Sequence, residues 1–191
     1  SKVSRLYHDE GRELLLDLHL TGKGKKFLKI IPGKWLCLTA NKNDFLKQSN
    51  LSQQLRKHLE GTYLQSITQK DAERIVVLEF EQKNASYFLI AELFSKGNLI
   101  LTNRDHVIIA LLEKQNWKDR SVAVGEKYVF PAPVVNWKKI TEKELLDVVK
   151  PSEKRNLATA LAIELGVGGL YAEEICKIAG VDKDKLPSQL G

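Results

Sequence analysis

Short segments with apolar residues at alternate positions recur along the first two thirds of this chain, and turn residues separate them. In the clearest case, Leu14, Leu16, Leu18 and Leu20 would share one face of a β-strand. Turns at such regular spacing favour an antiparallel sandwich or barrel. We predict strands at residues 5–8, 13–20, 27–31, 35–39, 63–69, 74–81, 86–94, 98–102 and 106–112, with residues 21–26 as a loop.

One helix interrupts the strands. Leu51, Leu55 and Leu59 recur every four residues and predict a helix at about residues 45–60. This helix would bury its leucine stripe against the sheet.

The composition changes after the last predicted strand. Residues 117–137 contain two prolines and predict an irregular strap. Thr141 and Glu144 then have the spacing of a capping box, which opens a helix. We therefore predict a β-rich domain over residues 1–130 and a helical region over residues 131–191.

Two short helices joined by a glycine turn are predicted between Ser152 and Gly180. Ser152 follows a proline and is a candidate N-cap. Leu157, Leu161 and Leu165 give the first helix an apolar stripe.

The turn between these helices is rich in glycine. Gly166 would end the first helix, and Gly168 and Gly169 permit positive φ and a close approach of the backbone. Unpaired amides at a helix N-terminus bind phosphate, so the turn is a candidate phosphate site. A helical hairpin that only packs would show the same pattern, and both interpretations stay open. The apolar face of the second helix is predicted to consist of Leu170, Tyr171, Ile175 and Ile178.

The positive charge of the chain is concentrated in one segment. Residues 21–58 carry nine basic side chains and one acidic one, a net charge of +8, whereas the remainder carries 21 basic and 23 acidic residues, or −2. A focused basic segment favours a polyanionic partner over a merely solvated surface. The candidate nucleic-acid contacts in this segment are Lys23, Lys25, Lys26, Arg56 and Lys57.

Composition also restricts the cellular setting. The sequence has no long apolar run and no secretory leader pattern, so it predicts a cytoplasmic protein without membrane contact. Cys37 and Cys176 lie in apolar contexts and are predicted to be two buried thiols. Because the chain starts almost within a strand pattern and without methionine, we expect it to be part of a longer protein.

The sequence offers few groups for catalysis. The histidines are scattered, with neither an i, i+4 pair nor a neighbouring cysteine cluster, so no metal site is predicted. No nucleophile with a partnered base can be named. We therefore expect a noncatalytic protein without cofactor or small-molecule substrate.

Ordered motifs along nearly the whole chain resemble the N-terminal domain of the NFACT family. This family was first labelled fibronectin-binding protein A, and it includes the eukaryotic nuclear export mediator factor and the bacterial and archaeal ribosome-quality-control factors. The motifs lie at residues 55–61, 67–69 with 73–77, 91–94 with 97–102, and 165–174.

The resemblance implies an α+β fold similar to the N-domain of formamidopyrimidine-DNA glycosylase, which is an antiparallel β-sandwich. A helix-two-turn-helix module would follow it, here at about residues 152–180. It further implies a noncatalytic RNA-binding module that recognises a large ribosomal subunit obstructed by peptidyl-tRNA and binds tRNA.

The sequence departs from its relatives at several positions. Glycosylases of this fold begin with a nucleophilic proline, whereas this chain begins with Ser1, and the helix that normally precedes the first NFACT strand is missing. Many NFACT domains carry an Asp-Arg pair, implicated in template-free peptide tailing, where this sequence has Ser95 and Lys96. The resemblance therefore adds Ser95 and Lys96 to the candidate RNA contacts, beside Gly166, Gly168 and Gly169.

Two other functions are compatible with the pattern. A DNA glycosylase-like nucleic-acid-binding domain fits the fold, but the chain lacks the nucleophile. A surface fibronectin-binding adhesin fits the old family name, but the free cysteines and the lack of a leader argue against it.

Overall fold

A computed structural model describes residues 1–8, 12–42, 49–117, 120–131 and 135–190. The chain divides into two compact units. The first comprises residues 1–70 and 74–131, and the second comprises residues 71–73 and 132–191.

Eleven strands and four α-helices are present in the described residues. In chain order they are β1 (Lys2–His8), β2 (Leu14–Leu20), β3 (Gly24–Ile31), β4 (Trp35–Thr39), α1 (Asn50–Leu59), β5 (Tyr63–Gln69), β6 (Ile75–Gln82), β7 (Ala85–Glu92), β8 (Asn98–Asn103), β9 (Ile108–Leu111), β10 (Gln115–Trp117), β11 (Arg120–Val122), α2 (Glu142–Val149), α3 (Leu157–Glu164) and α4 (Gly169–Ala179). A short 3-10 helix follows at Pro187–Gln189.

Nine of these strands form one antiparallel sheet in the order β4-β3-β2-β1-β5-β6-β7-β8-β9. Its two halves, β1–β4 and β5–β9, meet at β1 and β5, whose register pairs Lys2 with Tyr63. A further hydrogen bond links the two halves, because the Val3 amide donates to the Thr62 carbonyl at 2.9 Å. The predicted fold class, an α+β antiparallel sandwich-like fold with helices, is confirmed.

One hydrophobic core contains side chains from both halves of the sheet. Leu14, Leu16 and Leu18 of β2 pack in the same cluster as residues of β6–β8. The alternation seen in the sequence therefore marks the face of β2 that packs in this core, although Leu15 and Asp17 on the other face are buried as well. Leu55 and Leu59 of α1 join this core, as their four-residue spacing predicted.

Helix α1 is tied to β1 at both of its ends. At its start, the Ser49 hydroxyl caps the helix by accepting from the Ser52 amide at 3.0 Å, and it also lies 2.7 Å from His8 Nδ1. At its end, Arg56 Nε donates to the Leu6 carbonyl at 2.9 Å. The predicted helix at about residues 45–60 is observed at residues 50–59, and residues 43–48 lie outside the described part of the chain.

Two predicted irregular segments contain strands. Residues 24–26 were predicted to be a loop, but β3 begins at Gly24, because antiparallel pairing with β2 continues to Leu20. The predicted strap contains most of the small hairpin formed by β10 and β11. In both cases a strand pairs with its hairpin neighbour through residues whose local composition is typical of a loop.

The second unit is helical. The predicted capping box is present, because Thr141 Oγ1 accepts from the Glu144 amide and the Glu144 carboxylate accepts from the Thr141 amide. The Ser152 prediction was wrong: Asn156 caps α3, and the Ser152 hydroxyl donates instead to Glu164. Leu157, Leu161 and Leu165 are buried as predicted, in a core with Val149, Ala172 and Cys176.

Two predictions of burial were wrong. Cys37 is exposed, since β4 is an edge strand, whereas Cys176 is buried. In α4, the predicted apolar face is turned to solvent: Leu170 is 82% exposed and Ile178 is 79% exposed. The helix packs instead through Ala172 and Cys176, whose small side chains allow close contact with α3.

Two turns of the first unit meet Arg12, the residue two positions before β2, at one place, which we call the turn junction. The turns are Pro32–Gly33 between β3 and β4 and Ser95–Gly97 between β7 and β8. A Cβ atom built on Gly97 would lie 1.9 Å from the Gly33 nitrogen and 2.3 Å from the Pro32 carbonyl carbon. The Gly33 amide donates to the Glu92 carbonyl at 3.0 Å. The two hairpins therefore meet backbone to backbone, with no room for a side chain.

We predict that Gly97→Ala destabilises the protein much more than Gly125→Ala. Both glycines have positive φ, 70° and 87°, so that alanine is strained at either position. A Cβ atom added at Gly125 would lie in open space, and its substitution should cost about 1 kcal/mol. At Gly97 the added methyl group also collides with backbone, and we expect a loss of at least about 3 kcal/mol, measured by chemical denaturation. Equal losses for the two variants would contradict the backbone contact.

Candidate nucleic-acid interface

Three of the basic residues predicted from the sequence are free in the structure. Lys23, Lys26 and Lys57 are exposed, and no acidic side chain of the described residues pairs with them. Lys23 lies in the turn between β2 and β3, and Lys57 in the last turn of α1. Their charges are available for an anionic partner.

Lys25 is already paired. Its Nζ lies 2.7 Å from a carboxylate oxygen of Asp17, whose side chain is only 5% exposed, and 4.8 Å from the centre of the Phe27 ring. Because successive residues of a strand point to opposite faces, Lys25 and Lys26 lie on opposite sides of β3. They do not share one basic loop.

Arg56 is also held by the fold. Its Nε donates to the Leu6 carbonyl and lies 3.8 Å from a carboxylate oxygen of Glu60, which itself accepts from the Leu6 amide at 2.9 Å. Burial and the neighbouring charge of Lys57 lower the pKa of His58, so that this ring is neutral at pH 7. Lys57 therefore supplies the available charge of the last turn of α1.

Ser95 and Lys96 form the exposed tip of the turn junction. Ser95 has φ of 51°, a left-handed conformation that is uncommon for residues other than glycine. Arg12 Nη2 donates to the carbonyls of Lys96 and Gly97, both at 2.9 Å. The backbone of the turn is thereby fixed, while the side chains of Ser95 and Lys96 remain exposed.

The end of β7 just before this turn is fixed by a buried polar group. Glu92 accepts from Arg120 Nη2 at 2.5 Å and from the Tyr128 hydroxyl at 2.9 Å. Burial, reinforced by the charge of Glu92, raises the pKa of Tyr128 well above its usual range, so that the phenol stays a donor. No pattern in the sequence pointed to this group, because its three members are far apart along the chain.

The glycine turn of the second unit is open. Gly168 has φ of 81° and caps α4 without any side-chain hydrogen bond. A Cβ atom built on Gly168 or Gly169 would meet no heavy atom within 4 Å. The first amides of α4 have no partner within their own helix, and Gly166 and the exposed Tyr171 border them. The geometry suits an anion that approaches the backbone.

The predicted residues are not gathered into one patch of the first unit. Lys23 and Lys26 lie at the start of β3, whereas the Ser95–Lys96 turn packs against the Pro32–Gly33 turn at its other end. Eight strand residues separate these ends by roughly 25 Å. In the first unit, Lys23 and Lys26 therefore lie near one end of β3, and Lys96 lies near the other end.

Among the residues that the structure describes, no group of three or more His, Cys, Asp or Glu side chains is arranged to hold a metal ion. Within the same ranges, no helix is both long and apolar enough to cross a membrane.

Comparison with known proteins identifies relatives over almost the whole chain. The archaeal Rqc2 homolog aRqcH of Methanocaldococcus jannaschii is 33% identical in an alignment of 192 residues that covers 96% of this chain and 29% of the relative. The ribosome quality control complex subunit NEMF homolog of Drosophila melanogaster is 30% identical over 98% of this chain and 19% of its own length. The chain thus spans less than a third of these curated relatives.

Solved structures share the fold at lower identity. The N-terminal domain of fibronectin-binding protein PavA from Streptococcus pneumoniae has a TM-score of 0.77 and 22% identity, over 94% of this chain and 72% of that one. The fibrinogen binding protein from Staphylococcus aureus gives 0.77 and 22%, over 98% and 71%. The family model of the NFACT N-terminal and middle domains matches residues 1–191. The chain therefore belongs to the NFACT family.

Proposed function

We propose that this chain is the RNA-binding part of a ribosome-quality-control factor and acts without catalysis of its own. In this function it binds tRNA on a large ribosomal subunit that is obstructed by peptidyl-tRNA. The observation that carries the proposal is the set of relatives named as ribosome quality control factors, from archaea, flies and humans. The proposal places the protein in the cytoplasm and requires neither cofactor nor metal.

The structure supports RNA contacts at three places. Lys23 and Lys26 lie in the β2–β3 turn and the first residues of β3, Lys57 lies in the last turn of α1, and Lys96 projects from the turn junction. Lysines without acidic partners favour phosphate, because binding releases the counterions of the RNA. In the second unit, the first amides of α4, which follow Gly168, would hold one phosphate of the same or another RNA.

The alternatives receive less support. The adhesins share the fold at 22% identity or less, a level that does not carry their binding partners over to this chain. A glycosylase-like activity would need a nucleophile with a partnered base, and none is identified in the sequence.

We predict that Lys26→Gln weakens tRNA binding and lowers the slope of log affinity against log salt by about one unit, because one phosphate contact is lost. Lys25→Gln is the matched control, since Lys25 neutralises Asp17 on the opposite face. The control should leave the salt slope unchanged and lower the free energy of unfolding by about 1–2 kcal/mol. This loss is smaller than for a fully buried ion pair, because the Lys25 side chain is 57% exposed. Titrations of the full-length protein at several salt concentrations, with thermal melts, separate the two effects. An unchanged slope for Lys26→Gln would remove Lys26 from the interface.

We predict that Gly168→Val weakens tRNA binding more than Gly180→Val does. Both glycines have positive φ, both lie in open space, and they flank the two ends of α4. Valine is strained at both positions, by about 1–3 kcal/mol, and more so at Gly168, whose ψ of 159° lies in a region that is nearly restricted to glycine, than at the left-handed Gly180. Only Gly168 borders the free amides, where a branched side chain would block phosphate. Affinity per folded molecule is the measurement, and equal affinities would make the turn purely architectural.

We predict that the full-length protein co-sediments with large subunits that carry peptidyl-tRNA, in preference to empty ones, but adds few residues to the stalled peptide. A hydroxyl and a flexible ammonium at Ser95 and Lys96 cannot reproduce the bidentate geometry of an Asp-Arg pair. Ser95→Asp combined with Lys96→Arg should raise extension, because aspartate tolerates the left-handed φ at position 95. Nascent-chain length on gels measures extension. Robust tailing by the wild type would contradict the role of this turn, and equal binding to empty subunits would contradict the proposed function.

A further inference from the structure

The turn junction contains two left-handed residues that are not glycine. Arg12 has φ of 70° and Ser95 has φ of 51°, and Arg12 hydrogen bonds to the two residues that follow Ser95. Such conformations persist only where the surrounding structure determines them, and they concentrate at functional sites. The junction therefore invites a functional explanation beyond its packing.

Both terminal nitrogens of the Arg12 guanidinium group are engaged within the junction. Nη2 donates to the carbonyls of Lys96 and Gly97, and Nη1 is paired with Glu113. Glu113 is fixed in turn by Asn98, whose Nδ2 donates to the Glu113 carbonyl at 2.8 Å and whose Oδ1 accepts from the Glu113 amide at 3.1 Å. Asn98 is completely buried, so this chain of contacts ends in the core.

These contacts separate the function of Arg12 from that of Lys96. The charge of Arg12 is neutralised by Glu113, and the donors of both terminal nitrogens are directed at protein acceptors. Lys96 has no acidic partner among the described residues, and its side chain is exposed. Its ammonium group sits on a flexible stem, so its average position depends on how firmly its own backbone is held.

We propose that Arg12 is the positioning residue for Lys96. By holding the Lys96 and Gly97 carbonyls, it fixes the direction in which Lys96 projects and so prepares it to contact an RNA phosphate. The inference rests on the proposed function, because it assumes that Lys96 contacts RNA. In this proposal Arg12 contributes to RNA binding through the Lys96 and Gly97 backbone and not by a contact of its own with RNA.

The test uses Arg12→Lys in the full-length protein, because this change keeps the charge but removes the planar fork that reaches two carbonyls and a carboxylate. We expect Arg12→Lys to weaken tRNA binding as much as Lys96→Gln does, by roughly three- to tenfold, and to lower the salt slope by the same one unit. The double variant should bind no more weakly than Lys96→Gln alone, because both changes remove one contact. Arg74→Lys, at an exposed position outside the junction, should leave affinity unchanged.

Each outcome decides the question. If Lys96→Gln weakens binding while Arg12→Lys binds like the wild type, or if the two changes are additive, the positioning role is overturned and the proposed function stands. If Lys96→Gln has no effect while Lys26→Gln does, Lys96 is not a contact and the positioning role fails with it. If the wild-type protein itself does not bind tRNA, the proposed function is overturned as well.

A second variant covers the case in which Arg12→Lys does not fold. Glu113→Gln keeps Arg12 but removes the carboxylate that anchors its Nη1. We expect a smaller loss of affinity with the same flattening of the salt slope. A general loss of stability would reduce the fraction of active protein but would leave the slope as it is in the wild type. A wild-type slope for folded Glu113→Gln would overturn the inference.

Discussion

The architecture of the first unit depends on how β1 completes its hydrogen bonds. This strand pairs with β2 along its length but with β5 only at its start, so the outer backbone groups of Leu6 have no neighbouring strand. Two side chains take the place of that missing strand. Glu60, the C-cap of α1, accepts from the Leu6 amide, and Arg56 of α1 donates to the Leu6 carbonyl. Buried backbone groups must be paired, so the helix completes the sheet as well as covering its core. The hydrogen bond to the Leu6 carbonyl explains why Arg56, a basic residue of the positive segment, stabilises the fold.

Much of the fold was predictable because it follows from local patterns. Period-two alternation located most strands, leucines at four-residue spacing located α1, and the capping box at Thr141 located the start of α2. The failures arose where pairing or packing with another element overrode the local pattern. Pairing with β2 drew residues 24–26 into β3, and close packing on α3 selected the small side chains of α4, leaving Leu170 exposed.

The candidate site was predictable only in part, for a related reason. Charge identified Lys25 and Arg56, but it could not show that Asp17 and Leu6 already engage them. The family resemblance drew attention to Ser95 and Lys96. It gave no indication of Arg12, which is 84 residues from Lys96 in sequence and bonds to its backbone carbonyl. A contact with a carbonyl oxygen depends on no particular partner side chain, so the sequence contains no signal for it.

The close approach of Gly33 and Gly97 has a consequence for the order of assembly. One glycine belongs to the half of the sheet formed by β1–β4, and the other to the half formed by β5–β9. Contacts so distant in sequence carry a large loop-closure entropy and form only when both partners are in place. The surface at Ser95 and Lys96 therefore exists only in a chain whose two halves have both folded and docked. A chain whose synthesis stops before β5–β9 is complete therefore cannot present this surface.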